Sequence, residues 1–368
     1  MNASAARPLL TIAIPTWNRA RYLAENLRQL QDELARAPGA AVEIIVSDNC
    51  SPDDTGEVVR AAIARGLPVR YARNEQNLGW ARNFANACDL ARGEYLLLLG
   101  DDDLFVDGAL GLLLRRLERR TYGVVCLRPF GYDVDFRAEQ PGGEGDEKIF
   151  TDPNRFLVAI SQYFTLTSAL VLKRDLLAGV PVRQFIDTDL ATFHLLLRAA
   201  LAAPENLYLR RYLIASKRQN SAPYEYTRIF VQQLWMIMDA HVAHGLAPAT
   251  IRRIERDKLL SYYPFYLFDL RRARRDAAVA RGHFEARFGR RLLYRCWLAP
   301  ILWLPRPLAL AWGGAATILG RTLGGDLRRC VRFAWARLQR LSGRARPAAA
   351  GPATPVATAP ATSHPLNR

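Results

Sequence analysis

The chain has 368 residues, 50% of them hydrophobic and 23% charged, with 51 Lys and Arg against 35 Asp and Glu and a formal net charge of +16. That composition excludes a disordered chain, because it buries enough apolar surface to offset the entropy of ordering. The excess charge is local: residues 251–346 hold 22 of the cations and 6 of the acids, a net +16, and the remainder is balanced. A uniformly basic nucleic-acid-binding domain is therefore disfavoured, and a neutral domain followed by a basic attachment region is expected.

Residues 9–14 (LLTIAI) form a short apolar run closed by Pro15, the pattern of a first strand. Leu23, Leu27, Leu30 and Leu34 then recur at helical spacing, so residues 19–36 read as an amphipathic helix. Residues 42–47 (VEIIVS) and 69–72 predict the second and third strands, with a helix over 55–65 between them. A helix over 79–91 follows, with Phe84, Ala85 and Cys88 on one face. Residues 95–99 are nearly all apolar and read as a fourth strand buried on both faces. Leu110, Leu113, Leu114 and Leu117 mark the next helix, and residues 123–127 a fifth strand. Residues 133–148 read as an exposed loop, 164–172 as a further strand, and 190–203 and 227–241 as helices.

Strands alternating with helices predict an α/β fold on a mostly parallel sheet. The chain divides into a sheet-bearing domain at 1–225, a helical basic and apolar region at 226–341 whose composition shifts to Arg, Leu, Tyr and Trp after roughly Thr250, and an Ala/Pro-rich tail at 342–368 of disordered character. Cys50, Cys88, Cys126, Cys296 and Cys330 include no CxxC pair, which suggests reduced thiols rather than zinc or disulfides. The N-terminus carries no basic, long-apolar leader, so a cytoplasmic protein is expected.

In parallel sheets, ligands bind at the carboxyl ends of the strands. There the sequence places polar residues: Pro15 to Arg19 after strand one, Asp48 to Thr55 after strand two, Asn74 to Gly79 after strand three, and Gly100, Asp101, Asp102 and Asp103 after strand four. Three adjacent carboxylates repel one another unless a cation offsets them, and hard oxygen ligands suit Mg²⁺ or Mn²⁺. A solvated turn in which Asp103 or Asp107 caps the next helix is the alternative. Asp53 and Asp54 read as helix caps and Asp48 as functional.

Taken together, IAIPTWNR at 12–19, VSDNCSPDDT at 46–55, NLGWARN at 77–83 and GEYLLLLGDDDLF at 93–105 resemble the family-2 glycosyltransferases of GT-A fold. The resemblance covers roughly the first 130 residues, and its GDDD variant is similar to the abequosyltransferase-like branch. It implies a nucleotide-diphosphate sugar as donor substrate, with Pro15, Thr16, Asn18 and Arg19 at the nucleotide pocket and Asp48 on the base. It places Arg82 near the ribose or phosphates and Asp101 on ribose or metal, with Asp102, or Asp103, as metal ligand. Gly100 stands where many relatives have Asp. The resemblance also implies inversion by direct displacement, with a base in the second half of the domain.

Asp187 and Asp189, in QFIDTDLATFH before a predicted helix, are the candidates for that base, and Asp189 is preferred; a helix cap is the alternative for each. His194 reads as a buried helical histidine rather than a ligand. Lys217, Arg218, Gln219 and Asn220 read as a solvated basic turn, with a diphosphate clamp as the alternative.

Residues 296–320 form an apolar stretch, but Arg306 near its centre costs about 2.5–3.5 kcal/mol on insertion scales. Pro300, Pro305 and Pro307 also break helical bonding. Thirteen residues after Pro307, at ~1.5 Å each, reach roughly 20 Å, short of a ~30 Å bilayer core. Two short segments at a membrane interface are expected instead. The flanking arginines Arg271, Arg272, Arg274, Arg275, Arg287, Arg290, Arg291, Arg295, Arg321, Arg328, Arg329 and Arg332, with Trp297, Trp303, Trp312 and Trp335, suit an anionic headgroup surface. A helical subdomain packed on the catalytic domain or a second subunit is the alternative. The expectation is a metal-dependent, inverting glycosyltransferase attached to the inner membrane face, with a lipid-linked or saccharide acceptor and no nucleic acid partner. A nucleotidyltransferase is disfavoured because Pro15 to Arg19 contain no glycine. A non-catalytic sugar-nucleotide or polysaccharide binder is disfavoured by the intact acidic triplet.

Overall fold

The structure, a computed structural model, describes residues 7–142, 145–179, 182–218 and 225–323. Its first half alternates as expected: β1 (Leu10–Thr16), α1 (Ala20–Ala35), β2 (Val42–Asp48), α2 (Thr55–Ala64), β3 (Val69–Arg73), α3 (Trp80–Leu90) and β4 (Tyr95–Leu98). Then follow β5 (Leu104–Phe105), α4 (Ala109–Arg119), β6 (Val124–Tyr132), α5 (Phe136–Glu139), β7 (Glu147–Phe150), α6 (Pro153–Ile160), β8 (Leu170–Lys173), α7 (Ala191–Ala202) and β9 (Asn206–Lys217). The remainder is helical: α8 (Leu234–Ala240), α9 (Pro248–Asp257), α10 (Tyr263–Arg272), α11 (Ala278–Phe288), α12 (Ala299–Trp303) and α13 (Arg306–Leu323).

The strands form one sheet in the order β3-β2-β1-β4-β8-β6-β9-β5, with β7 paired to β9. The β3-β2-β1-β4 half is parallel, while β8 runs antiparallel between β4 and β6. Side chains alternate between the two faces with a period of two. Thus Tyr95 and Leu97 join Ile12, Ile44 and Val125 in a core under α1 and α4, while Leu96 and Leu98 join Ile45, Val124 and Cys126 in a core on the other face. Full burial of β4 on both faces follows from its central place in the sheet.

Several expectations change. The strand predicted at 164–172 shrinks to β8, because Thr167–Ala169 form a 3₁₀ turn. The predicted loop at 133–148 contains α5 and leads into β7. The helix predicted at 227–241 opens with a π-helical segment, Arg228–Gln233, before α8. Helix α4 is capped by neither Asp103 nor Asp107. Instead, the buried Glu33 carboxylate reaches across from α1 and accepts from Gly108 N at 2.7 Å and Leu110 N at 2.9 Å. Asp107 pairs with Arg137 at 2.8 Å, which holds its carboxyl down at about 2. Asp53 serves two helix starts, accepting from Ala20 N at 2.9 Å and from Thr55 N at 3.2 Å.

The basic region is not a separate body among the described residues. Leu234, Trp235, Ile254, Tyr263, Phe284, Phe288, Leu298 and Ile301 belong to the same hydrophobic core as Phe84, Leu98 and Phe193. Several of its arginines hold the structure together: Arg287 and Arg291 converge on buried Glu255, and Arg271 donates to Leu304 O at 2.8 Å. Arg274, Arg275 and Arg290 have no side-chain partner among the described residues.

The apolar stretch at 296–320 breaks after Leu304, at Pro305, into α12 and α13. No described helix is long and apolar enough to cross a membrane. Helix α13 is inside out. It buries Ala309, Gly313, Ala316 and Gly320 against α10 and the segment Lys258–Tyr262, and it exposes Leu308, Trp312, Ile318, Leu319 and Leu323. Its small side chains permit close approach: a Cβ on Gly320 would lie 1.8 Å from Leu260 O. Cys330, Trp335, Gln219, Asn220, Arg328, Arg329, Arg332 and the tail from 342 lie outside the described residues.

Candidate active site

Parallel registry sets Thr16 beside Asp48 and Ala13 beside Leu98, so the carboxyl ends of β1, β2 and β4 open into one crevice. A cavity of about 510 Å³ lies there, lined by Pro15, Thr16, Trp17, Arg19, Gly100 and Asp101 on the strand side. Asn49, Asn77, Trp80, Asn83, Phe84 and Thr167 complete it.

Arg19 and Asp101 of its lining form an ion-pair triad with Asp102. Thr16 Oγ1 donates to Asp101 Oδ2 at 2.7 Å, and Arg19 Nε lies 3.0 Å from Asp101 Oδ1. Another guanidinium nitrogen of Arg19 bonds Asp102 Oδ2. Burial pushes the Asp101 carboxyl up to about 7; Arg19 and Thr16 oppose the shift, and the like charges of Asp102 and Asp103 add to it. Asp103 faces elsewhere. It is buried, with its carboxylate bonded by Ser168 Oγ, and burial raises it to about 6. The same Ser168 Oγ accepts from Gly100 N at 2.9 Å, which ties the 3₁₀ turn to the acidic segment. A side chain at position 100 would crowd this knot, since a Cβ there would lie 3.0 Å from Asp103 Oδ2 and 3.1 Å from Asp102 Oδ1. That is a physical reason for glycine in place of a fourth acid.

None of the other predicted residues lines the cavity, apart from Pro15. Asn18 is exposed in the left-handed region, φ 56°, with its N–H donating to Ser51 Oγ at 2.9 Å. Arg82 is exposed on α3 and does not line the cavity. Asp48 is fully buried and its carboxylate is engaged by Ser51 N at 2.9 Å, Tyr71 Oη at 2.6 Å and Arg73 Nε at 3.4 Å. It braces the loop after β2 and lies outside the cavity lining. Neither Asp187 nor Asp189 caps α7 through its side chain, since the cap position is Leu190. Asp187 is exposed, and Asp189 pairs with Arg228 at 3.0 Å. His194 is buried, stacks on Phe185 with centroids 4.0 Å apart and lies near His241; burial lowers it to about 4. Its Nδ1 has no hydrogen-bond partner among the described residues. Lys217 Nζ donates to Asp133 O at 2.6 Å, and Arg218 pairs with Asp133 at 3.0 Å, so both brace the end of β6.

Sequence reasoning passed over the indoles and the amides. Trp17 is 46% exposed and Trp80 54% exposed, and both line the cavity, so large apolar faces stand open to solvent at a binding crevice. Asn49 Nδ2 donates to Asn77 Oδ1 at 2.7 Å, and Asn74 Nδ2 to Asn49 Oδ1 at 3.0 Å and Asn83 Oδ1 at 2.9 Å. Their signal was present in the sequence: Asn49 and Asn74 directly follow the ends of β2 and β3, and Asn77 and Asn83 open and close NLGWARN at the start of α3.

Residues 11–179 match the family model described as Glycosyl transferase family 2. The chain carries a family 2 glycosyltransferase domain. The glycosyltransferase domain is 34% identical over 179 residues to abequosyltransferase RfbV of Salmonella typhimurium, a match covering 45% of this chain and 53% of that protein. It is 34% identical over 110 residues to the GalNAc(5)-diNAcBac-PP-undecaprenol beta-1,3-glucosyltransferase of Campylobacter jejuni, covering 30% of this chain and 34% of that protein. The chain thus spans about half the length of the first relative and a third of the second. Its fold is similar to that of S. aureus TarS 1–349 in complex with UDP, with TM-score 0.57 at 15% identity over 86% of this chain and 91% of that one. The likeness extends well beyond residue 179, so the GT-A-like sheet and its helical continuation are shared as one fold.

Proposed function

We propose that the chain transfers a sugar from a nucleotide-diphosphate sugar to an acceptor hydroxyl, with inversion. The observation that carries this reading is the Thr16–Arg19–Asp101–Asp102 constellation, whose Thr16, Arg19 and Asp101 line a cavity at the strand ends of a family 2 domain. The cavity suits a donor because it joins apolar walls to convergent charges. Trp17 and Trp80 offer flat faces for the nucleobase, and Arg19 is the cation nearest a diphosphate. Asn18 and Arg82 flank the mouth as further contacts, and Asp48 acts by holding the loop that bears Asn49.

Asp101 and Asp102 would hold a Mg²⁺ or Mn²⁺ ion. Two carboxylates plus donor phosphate oxygens are a set these hard cations accept. Among the described residues no three acidic, His or Cys side chains form a protein-only cage, so the donor's own oxygens complete the set. Both carboxylates already converge on a positive charge, the Arg19 guanidinium, which supports the fit. When bound, such a cation stabilises the negative charge growing on the departing nucleoside diphosphate. Asp103 fits this role poorly, because its carboxylate is held by Ser168.

Asp189, or Asp187, takes the proton from the attacking hydroxyl. The C. jejuni relative, which acts on a GalNAc(5)-diNAcBac-PP-undecaprenol, supports a saccharide or lipid-linked acceptor for this chain too. Attachment to an anionic inner membrane face is supported by the outward apolar face of α13, by exposed Trp303, and by the cations Arg274, Arg275 and Arg290, which have no ion-pair partner among the described residues. A thermal-shift panel of nucleotide diphosphates and their sugars, with and without Mn²⁺, tests the donor reading. Stabilisation that needs the metal and disappears in Asp102→Asn is expected; no response to any nucleotide would sink it.

A further inference from the structure

A second and larger cavity, about 930 Å³, lies outside the donor crevice, between β7 and β9 on one side and α6 and the start of α9 on the other. Its walls carry five cations, Arg128, Lys148, Arg155, Arg210 and Arg253, and one carboxylate, Asp152. Arg155 and Arg210 pair with the exposed Asp152 and Asp146 at 3.4 and 3.2 Å, and Arg253 with the half-buried Asp257 at 3.1 Å. Arg128 and Lys148 have no ion-pair partner among the described residues. Each instead stands over an aromatic ring, Arg128 at 4.2 Å from the Tyr212 centroid and Lys148 at 5.0 Å from that of Phe150. The Arg128 Nε is buried with no hydrogen-bond partner among the described residues. Phe150, Tyr163 and Tyr208 supply flat apolar wall between the charges. Cations interleaved with aromatic faces suit a ligand that joins anionic groups to sugar rings: guanidinium and ammonium groups take phosphate oxygens, and aromatic faces take the C–H side of a pyranose.

The two cavities are joined by one short segment. Tyr163 lines the second and Thr167 the first. Four residues of chain span at most about 14 Å, even fully extended. The two cavities are therefore close along the chain, on either side of this buried segment. The region between them is fixed, since Phe164 packs on Phe193 at 4.7 Å and Ser168 is bonded to the acidic segment.

We propose that this cleft is the acceptor subsite and that it grips a phosphate-bearing saccharide. The proposal rests on the transferase reading for the word acceptor, but the binding it asserts does not. The shared chemistry, sugar plus phosphate, could be presented by a diphosphate-linked lipid sugar or by a phosphate-containing polymer.

Binding to the full chain is measured by calorimetry with three probes: a short-chain polyisoprenyl diphosphate sugar, a poly(glycerol phosphate) oligomer and a neutral dextran oligomer. Saturable binding of one phosphate probe or both is expected, and the tighter of the two identifies the source. Lys148→Gln with Arg253→Gln, both exposed and both outside the donor crevice, should weaken that binding about tenfold or more, with nucleotide-sugar binding unchanged. Arg128→Gln, checked for an unchanged melting curve, should do the same. Failure of both phosphate probes to bind, equal affinity in the double variant, or dextran bound as tightly as the phosphates would each overturn the proposal. A chain that binds a phosphate probe but no nucleotide sugar would leave the cleft standing and remove the transferase reading.

Discussion

Gly320 on α13 packs directly against the backbone of Leu260. A Cβ added at position 320 would sit 1.8 Å from Leu260 O, 2.8 Å from its carbonyl carbon and 3.3 Å from Ser261 Cα. These are backbone atoms, so no rotamer change relieves the clash. A carbon–oxygen contact settles near 3.3 Å, so the helix must withdraw by about 1.5 Å. Withdrawal opens the seam at Ala309, Gly313 and Ala316 as well. Overpacking of this kind costs about 1–3 kcal/mol, against which alanine returns up to about 1 kcal/mol of helix propensity. Gly320→Ala is therefore expected to lose about 2 kcal/mol. Gly314 is the internal control. It lies six residues away on the same helix, and its added Cβ would meet only Phe268 Cε2, at 3.9 Å. Gly314→Ala should gain about 0.5–1 kcal/mol, because the unfolded chain loses freedom and nothing is displaced. Urea unfolding of both variants beside the parent reads the difference directly. If Gly320→Ala is as stable as Gly314→Ala, the inward stripe does not set the seat of α13.

Asp187→Asn and Asp189→Asn should each keep donor binding while one of them abolishes transfer; full transfer by both in a radiolabelled-sugar assay removes both as the base. Burial lowers His194 to about 4, so the unfolded chain binds its proton first, and stability should fall as pH drops from 6.5 towards 4, by up to about 3 kcal/mol at the lower end. His194→Leu should flatten that part of the profile relative to the parent, and melting curves across the range will check it. Leu308→Asp with Ile318→Asp places charge on the outward face of α13 without touching its seat. It should abolish co-sedimentation with phosphatidylglycerol vesicles and leave the melting temperature unchanged; retained sedimentation would show that this face does not meet the bilayer.

β1, β2 and β4 were legible because parallel strands covered on both sides read as apolar runs closed by polar residues, whereas β3, VRYAR at the sheet edge, is only partly buried. β9 was not, because Arg210 and Arg211 stand exposed in its middle and split the pattern into two halves. β8 was overextended because Thr167 and Ser168 resemble strand residues in composition while their backbone turns to bring Ser168 to Gly100 and Asp103. Strand ends located the crevice in sequence but could not say which way a side chain turns. Thr16 and Asp48 are registered neighbours, yet one bonds Asp101 in the cavity and the other is consumed by Tyr71 and Arg73. The composition break near residue 250 marked a change of surface chemistry rather than of core, since Leu246, Ile251 and Ile254 on either side of it share one hydrophobic interior.

The asparagine cluster has a practical consequence for handling the protein. The rim of the donor crevice is tied by amide-to-amide bonds among Asn49, Asn74, Asn77 and Asn83, extended to Asn86, whose Nδ2 donates to Asn74 Oδ1 at 3.0 Å. None of these groups titrates, and none carries a charge for salt to screen. The binding mouth should keep its shape in the high-salt buffers that a protein of net charge +16 calls for during purification. The same wash that strips adventitious polyanions from its surface leaves the framework that receives the donor intact.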